Sequence, residues 1–167
     1  MSDFRLTGGC QCGAVRYAID KMPAHPCICY CRMCQKASGN LFGTFAGVET
    51  AHFQVTRGEI SWWQSSHTGR RGFCSNCGTP LAWASAESED WIAPTIGSLD
   101  TPEMMQPIIA YDIESKISWT DEALAIRPLK MGEGVTAGWP YKEVQQTTRQ
   151  HPDHDTDHWI VQGAHQG

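Results

Sequence analysis

An all-β fold, built as small rolled sheets or a sandwich, is predicted by three features of this 167-residue chain. Its apolar residues fall in short runs, glycine and proline punctuate those runs, and the spacing of three to four residues that marks helices is scarce. Eight cysteines in three groups add internal ties. One domain of this length buries a core without such help, so the cysteines need a chemical explanation.

The first strand is read over Ala14 to Ile19, where Val15, Tyr17 and Ile19 alternate with smaller or polar residues. Just before it, Gly8-Gly9-Cys10-Gln11-Cys12-Gly13 forms the turn into that strand. Glycines on both sides of a cysteine pair let the backbone wrap closely and aim its N–H groups at thiolate sulfur. Lys36-Ala37-Ser38 is at most a helical turn, closed by Gly39. Leu41 to Val48, Phe53 to Thr56, Ile60 to Trp63, Leu81 to Ala84, Trp91 to Gly97 and Ile108 to Ile113 complete the expected strands. Thr120-Asp121-Glu122 after Trp119 reads as a capped helical turn.

The composition is 41% hydrophobic and 19% charged, with a formal net charge of -5. That balance provides no basic field for nucleic acid, and no window approaches the roughly 18 apolar residues of a membrane span. Met1 to Gly9 lacks the apolar run of a signal peptide, so a cytoplasmic location is expected. In that reducing compartment cysteines favour metal over disulfides. Their number is also below the share of about 8–10% that marks a disulfide scaffold.

The densest group is Cys27-Ile28-Cys29-Tyr30-Cys31-Arg32-Met33-Cys34. In an extended segment Cys27, Cys29 and Cys31 face one way, and a turn through Arg32 and Met33 would return Cys34 to them. A set of buried free thiols is the structural alternative. Four sulfurs in eight residues favour a zinc site. Cys74-Ser75-Asn76-Cys77, followed by Gly78, is a zinc-knuckle half-site that Cys10 and Cys12 would complete as a closed four-thiolate tetrahedron. A redox reading would want a helix after the pair, whereas Thr79-Pro80-Leu81 leads into a strand-like run.

Taken together, Gly8-Gly9-Cys10-x-Cys12-Gly13-Ala14-Val15-Arg16-Tyr17, then Cys29-x-Cys31-x-x-Cys34-Gln35-Lys36-Ala37-Ser38-Gly39, then Phe73-Cys74-x-x-Cys77-Gly78-Thr79 resemble the glutathione-dependent formaldehyde-activating enzyme family, also called the CENP-V/GFA domain. The resemblance covers roughly residues 3–129, leaving 130–167 as a polar, His-rich extension. It implies a β fold similar to that of methionine sulfoxide reductase B. It also implies a structural zinc on Cys10, Cys12, Cys74 and Cys77, and a functional zinc on Cys29, Cys31 and Cys34. The implied activity is that of a carbon–sulfur lyase joining glutathione to formaldehyde as S-hydroxymethylglutathione. Tyr30 stands where the family often has histidine, and the segment Ile108 to Asp112 lacks another histidine common there.

Cys27 would close the second site as a fourth thiolate, or leave it open as a bystander; the open arrangement is the favoured one. Three thiolates and Zn²⁺ then leave one position for a thiol such as that of glutathione, or for water. Arg32, Lys36, Arg70 and Arg71 are candidates for the carboxylates of that co-substrate, against the plainer reading of solvated charges. Among seven tryptophans, one of the adjacent Trp62 and Trp63 should pack inside; core packing is also the expectation for Trp83 and Trp91. Within the extension, His151, His154, His158 and His165 read as solvent-facing, while Trp139, Tyr141 and Trp159 are expected to anchor the segment on the domain or on a second subunit. The alternative to an enzyme acting on a small thiol adduct is a zinc-stapled binding module. Methionine sulfoxide reduction is disfavoured, since no cysteine follows Cys77.

Overall fold

A computed structural model describes residues 4–130 and 136–161. Ten strands occur among the described residues, in two sheets. The strands are β1 (Leu6–Gly9), β2 (Arg16–Ile19), β3 (Ala24–Cys29), β4 (Gly43–Glu49), β5 (Phe53–Arg57), β6 (Ser61–Gln64), β7 (Gly69–Phe73), β8 (Pro80–Ser85), β9 (Trp91–Pro94) and β10 (Ile109–Tyr111). The smaller sheet runs β1-β2-β5, and the larger runs β10-β3-β4-β9-β8-β7-β6. All described pairings are antiparallel except β10 with β3. The all-β expectation holds.

The core lies between the sheets. Leu6, Tyr17 and Ile19 from the smaller sheet join Val48, Leu81, Ala84 and Ile92 from the larger in one buried cluster. Every residue of β2 is buried, as a central strand of a covered sheet requires. Tyr17 stacks on Phe53 with ring centroids 4.9 Å apart, and its hydroxyl meets Ser98 Oγ at 2.7 Å. That bond satisfies a polar group which burial would otherwise penalise.

Three strands escape the sequence pattern, each for a local reason. In β1 two glycines hide the alternation, and in β7 Gly-Arg-Arg-Gly does so. Pairing on β6 and β8 nevertheless holds β7, showing how tertiary context overrides strand propensity. In β3 the register shifts between Ala24 and Cys27, with His25 at φ 52° ahead of Pro26. The helix read at 36–38 begins earlier, as α1 (Arg32–Ser38), and Gly39 closes it in the left-handed conformation at φ 58°. Two further short helices, α2 (Thr120–Leu124) and α3 (Tyr141–Gln146), follow the sheets. No described helix is long and apolar enough to cross a membrane.

The chain after α3 returns to the domain. Asp155 joins a cluster around Arg16, a residue 3% exposed whose guanidinium is forked onto Asp100. Asp100 also accepts from Thr7. Removing one member of a buried ion pair costs about 3–5 kcal/mol. Asp100→Ala leaves Arg16 only the half-exposed Asp155, so a loss of about 3 kcal/mol is expected, read as a thermal midpoint lower by about 10 °C.

His151 contradicts the solvent reading, being 3% exposed. Its N–H bonds Gln11 O at 2.7 Å, and its ring meets Trp159 edge-on at 4.6 Å. Both rings occupy the space where a side chain on Gly13 would lie, at φ 73°. Trp159 Nε1 donates to Cys12 O at 2.6 Å, so this tryptophan anchors the segment as expected. Trp139 and Tyr141 are 64% and 40% exposed, and His154 and His158 face solvent. His165 lies outside the described residues.

Docking of the segment is expected to depend on pH. Burial lowers the His151 pKa, with Arg16 and Arg57 opposing a charged ring and Pro152 O and Asp100 favouring one. Because the folded value is depressed, the undocked segment takes up the proton first. The His151 contribution is therefore complete above the ordinary histidine value of about 6.5 and declines as pH falls below it. The Trp159 indole N–H should lose hydrogen-exchange protection over that range. Protection unchanged down to the carboxylate range would show that His151 does not hold the segment.

Candidate metal centres

The first centre joins two hairpins from different sheets. Cys10 and Cys12 lie in the turn between β1 and β2, and Cys74 and Cys77 in the turn between β7 and β8. Backbone bonds from Cys10 N to Val15 O and from Cys74 N to Thr79 O, each 3.0 Å, shape the two turns. Their four sulfurs lie within 4.8 Å of one another. Two sulfur pairs are separated by 3.6 and 3.9 Å, against about 3.8 Å for the edge of a tetrahedron with zinc–sulfur bonds of about 2.3 Å. Donors surround the sulfurs: Val15 N at 3.2 Å from Cys10, Asn76 Nδ2 at 3.1 Å from Cys12, and the Thr79 hydroxyl 3.1 Å from Cys77. Burial pushes the Cys10 and Cys74 thiols up. At Cys77 burial also opposes ionisation, but bonds from Thr79 and Cys12 outweigh it and bring the pKa down to about 6. All eight cysteines are free thiols. The donor set and its spacing fit a zinc ion.

The second centre forms where β3 runs into α1. Cys29 ends β3, Cys31 caps α1 and accepts from Cys34 N at 3.3 Å, and Cys34 sits in the first helical turn. The helix, rather than an open turn through Arg32 and Met33, brings Cys34 back. These three sulfurs are mutually within 4.8 Å, and Cys27 is not one of the group. Three thiols so placed could hold a metal ion, consistent with zinc. Buried Gln35 fixes the bend by donating from Nε2 to Tyr30 O at 2.7 Å and to Ser115 O at 3.0 Å.

Charge around the three sulfurs is uneven. Arg71 Nη2 lies 3.5 Å from Cys34 Sγ, and Asp112 Oδ2 accepts from Cys29 Sγ at 3.4 Å. Burial raises the Cys29 thiol; it also raises Cys34, although Arg71 pulls that group the other way. At Cys31 burial works against ionisation, yet the Cys34 N–H and the adjacent thiols lower the pKa. The cluster opens onto a cavity of about 530 Å³ walled by Phe45, Trp83, Trp91 and Tyr111, with Arg71 and His25 among its polar lining. Trp83 and Trp91 thus line this space, where core packing was expected. Trp62 packs on the core and Trp63 is 62% exposed, dividing the pair as the strand alternation requires.

The cationic candidates separate. Arg71 borders the cavity. Arg70, its neighbour on β7, points to the other side and lies over Trp62 at 4.7 Å. Arg32 bonds Gln35 Oε1 at 2.9 Å, and Lys36 is exposed on α1. Tyr30 is buried edge-on against Phe42 at 5.6 Å. His25 and Asp112 were not singled out from sequence. His25-Pro26 just before Cys27 is a local signal for the first, whereas nothing short of the β3–β10 pairing brings Asp112 to Cys29.

The family model for the glutathione-dependent formaldehyde-activating enzyme matches residues 5–115. The chain belongs to this family. Similarity to a Halomonas elongata protein named "Putative glutathione-dependent formaldehyde-activating enzyme" extends over 127 residues at 28% identity, covering 70% of this family member and 80% of that one. A crystal structure of a Rhodobacter sphaeroides protein shares the fold, with a TM-score of 0.51 and 20% identity over 62% of this chain and 98% of the other. The matched span contains all eight cysteines of this formaldehyde-activating family member.

Proposed function

We propose that the protein is a carbon–sulfur lyase that joins a thiol, glutathione in the family reaction, to an aldehyde, and splits the same adduct in reverse. The observation that carries this reading is the second centre: three sulfurs gathered at a cavity wall, with Cys27 beside them but outside the group. A zinc ion held there supplies a further coordination position at which a substrate sulfur is kept as thiolate. The residues Cys10, Cys12, Cys74 and Cys77 hold the structural zinc and fix the two sheets on which the site depends.

The remaining chemistry belongs to side chains of this chain. Arg71, against Cys34, offsets the negative charge of three thiolates and so favours an anionic co-substrate. Asp112 is placed to take the thiol proton as the sulfur enters. The sulfur forms one bond to the carbonyl carbon, the C=O bond becomes single, and the proton finishes on the new hydroxyl. Nothing is oxidised or reduced. Arg32 and Lys36, both exposed on α1, are the candidates for the carboxylates of glutathione outside the cavity.

Nuclear magnetic resonance of S-hydroxymethylglutathione formation tests the reaction. The rate should exceed the spontaneous one at catalytic protein concentration. A protein that binds two zinc ions yet accelerates neither direction would be a binding module.

A further inference from the structure

We propose that the cavity beside Cys29, Cys31 and Cys34 takes an aryl or branched-alkyl group on the carbon bonded to the substrate sulfur, so that the aldehyde partner is larger and more apolar than formaldehyde. This rests on the function proposed above and names the substrate class of the same site. The first support is size. A space of about 530 Å³ is in the range of about 300–1,000 Å³ typical of sites for drug-sized ligands. Formaldehyde brings one carbon and one oxygen, which would leave most of such a space as apolar wall facing water.

The second support is the chemistry of the walls. Phe45, Trp83, Trp91 and Ile92 line the space, and Arg71 is the cation there, already set against Cys34. Glutathione has two carboxylates and an ammonium group. Burying these charges here without partners would be costly, so its polar body belongs outside and the carbon group of the adduct inside. Apolar surface buried on the aromatic walls would then favour the larger group.

The third support is that the backbone seats the aromatic walls, with Trp83 in the space of a missing side chain. A Cβ on Gly69 of β7 would lie 2.7 Å from Trp83 Nε1, so the indole crosses the strand at that glycine. Trp91 packs beside Gly47 of β4, its ring 3.7 Å from where a Cβ would be, which is an ordinary contact distance. Strand register places Arg71 opposite Trp83 and Trp83 opposite Ala93, forming one row on a single sheet face. The walls are therefore positioned by the backbone of three strands before any ligand arrives.

In the forward direction the substrate sulfur bonds the carbonyl carbon of an aromatic or branched aldehyde, the carbonyl oxygen becomes hydroxyl, and the thiol proton ends on that oxygen. The test is calorimetric binding of three probes to the zinc-loaded protein: phenylmethanethiol, 2-mercaptoethanol and toluene. Phenylmethanethiol is expected to bind more than tenfold tighter than 2-mercaptoethanol. That ratio should fall severalfold in Trp91→Ala, at the half-exposed rim, and in Ala93→Leu, which fills the space from its floor. Equal binding of the two thiols to the parent protein would overturn the inference while leaving the lyase reading in place. Toluene bound with neither thiol bound would uphold the apolar subsite and overturn the lyase reading. Binding of none of the three would overturn both.

Discussion

Cys77→Ser is expected to yield a chain with no cooperative thermal transition. Cys77 shares its sulfur cluster with Cys10 and Cys12 from the smaller sheet and with Cys74 from the larger, so the substitution removes a tie between two hairpins and not a surface thiol. Structural zinc in small domains contributes about 10–16 kcal/mol, as much as or more than the whole stability of about 5–15 kcal/mol for an ordinary domain. Sulfur to oxygen at one of four positions forfeits much of that contribution, and the buried Cys10, Cys12 and Cys74 would be left without a common partner. Circular dichroism melts of parent and variant decide the matter. A variant that melts with the parent would show that the two hairpins are held by packing alone.

The second large effect concerns activity. Cys34→Ser should remove the second zinc, lower the rate of adduct formation by about a thousandfold or to the spontaneous level, and leave the melt nearly unchanged. Its neighbours explain the expected survival of the fold: Gln35 still pins the β3–α1 bend, and the sheets close through the other cluster. Cys27→Ser should change neither zinc content nor rate by more than a few-fold, because its sulfur stands apart from the three. Zinc analysis and the resonance assay on both variants check this pair. Loss of zinc from Cys27→Ser would mean a closed four-coordinate site and no position for a substrate sulfur.

The grouping of Cys10 and Cys12 with Cys74 and Cys77 was legible from pair spacing and flanking glycines. Strand alternation, by contrast, put Cys27 with Cys29 and Cys31, and only the family resemblance implied the set Cys29, Cys31 and Cys34 that the fold brings together. The strands that were missed depend on partners distant in sequence. Nothing within Gly69–Phe73 marks a strand until β6 and β8 flank it, and that strand carries Arg71 to the site. Asp112 reaches Cys29 only through the parallel pairing of β10 with β3. Trp83 and Trp91 were ambiguous for a related reason: whether a tryptophan in a strand packs a core or walls a cavity depends on its neighbours across the sheet, such as Gly69 beneath Trp83. In the C-terminal extension Trp159 is the anchor its size suggests, whereas a polar composition concealed His151, because its backbone N–H meets the backbone oxygen of Gln11, which no side-chain pattern encodes.

The division between a closed and an open zinc site is tested most directly by chelator titration of the purified protein followed by native mass spectrometry. Two zinc ions per chain are expected at the start, and one should leave at a chelator concentration well below that needed for the other, with the folded charge-state distribution retained after the first loss. A single zinc per chain, or two lost together as the protein unfolds, would contradict the account.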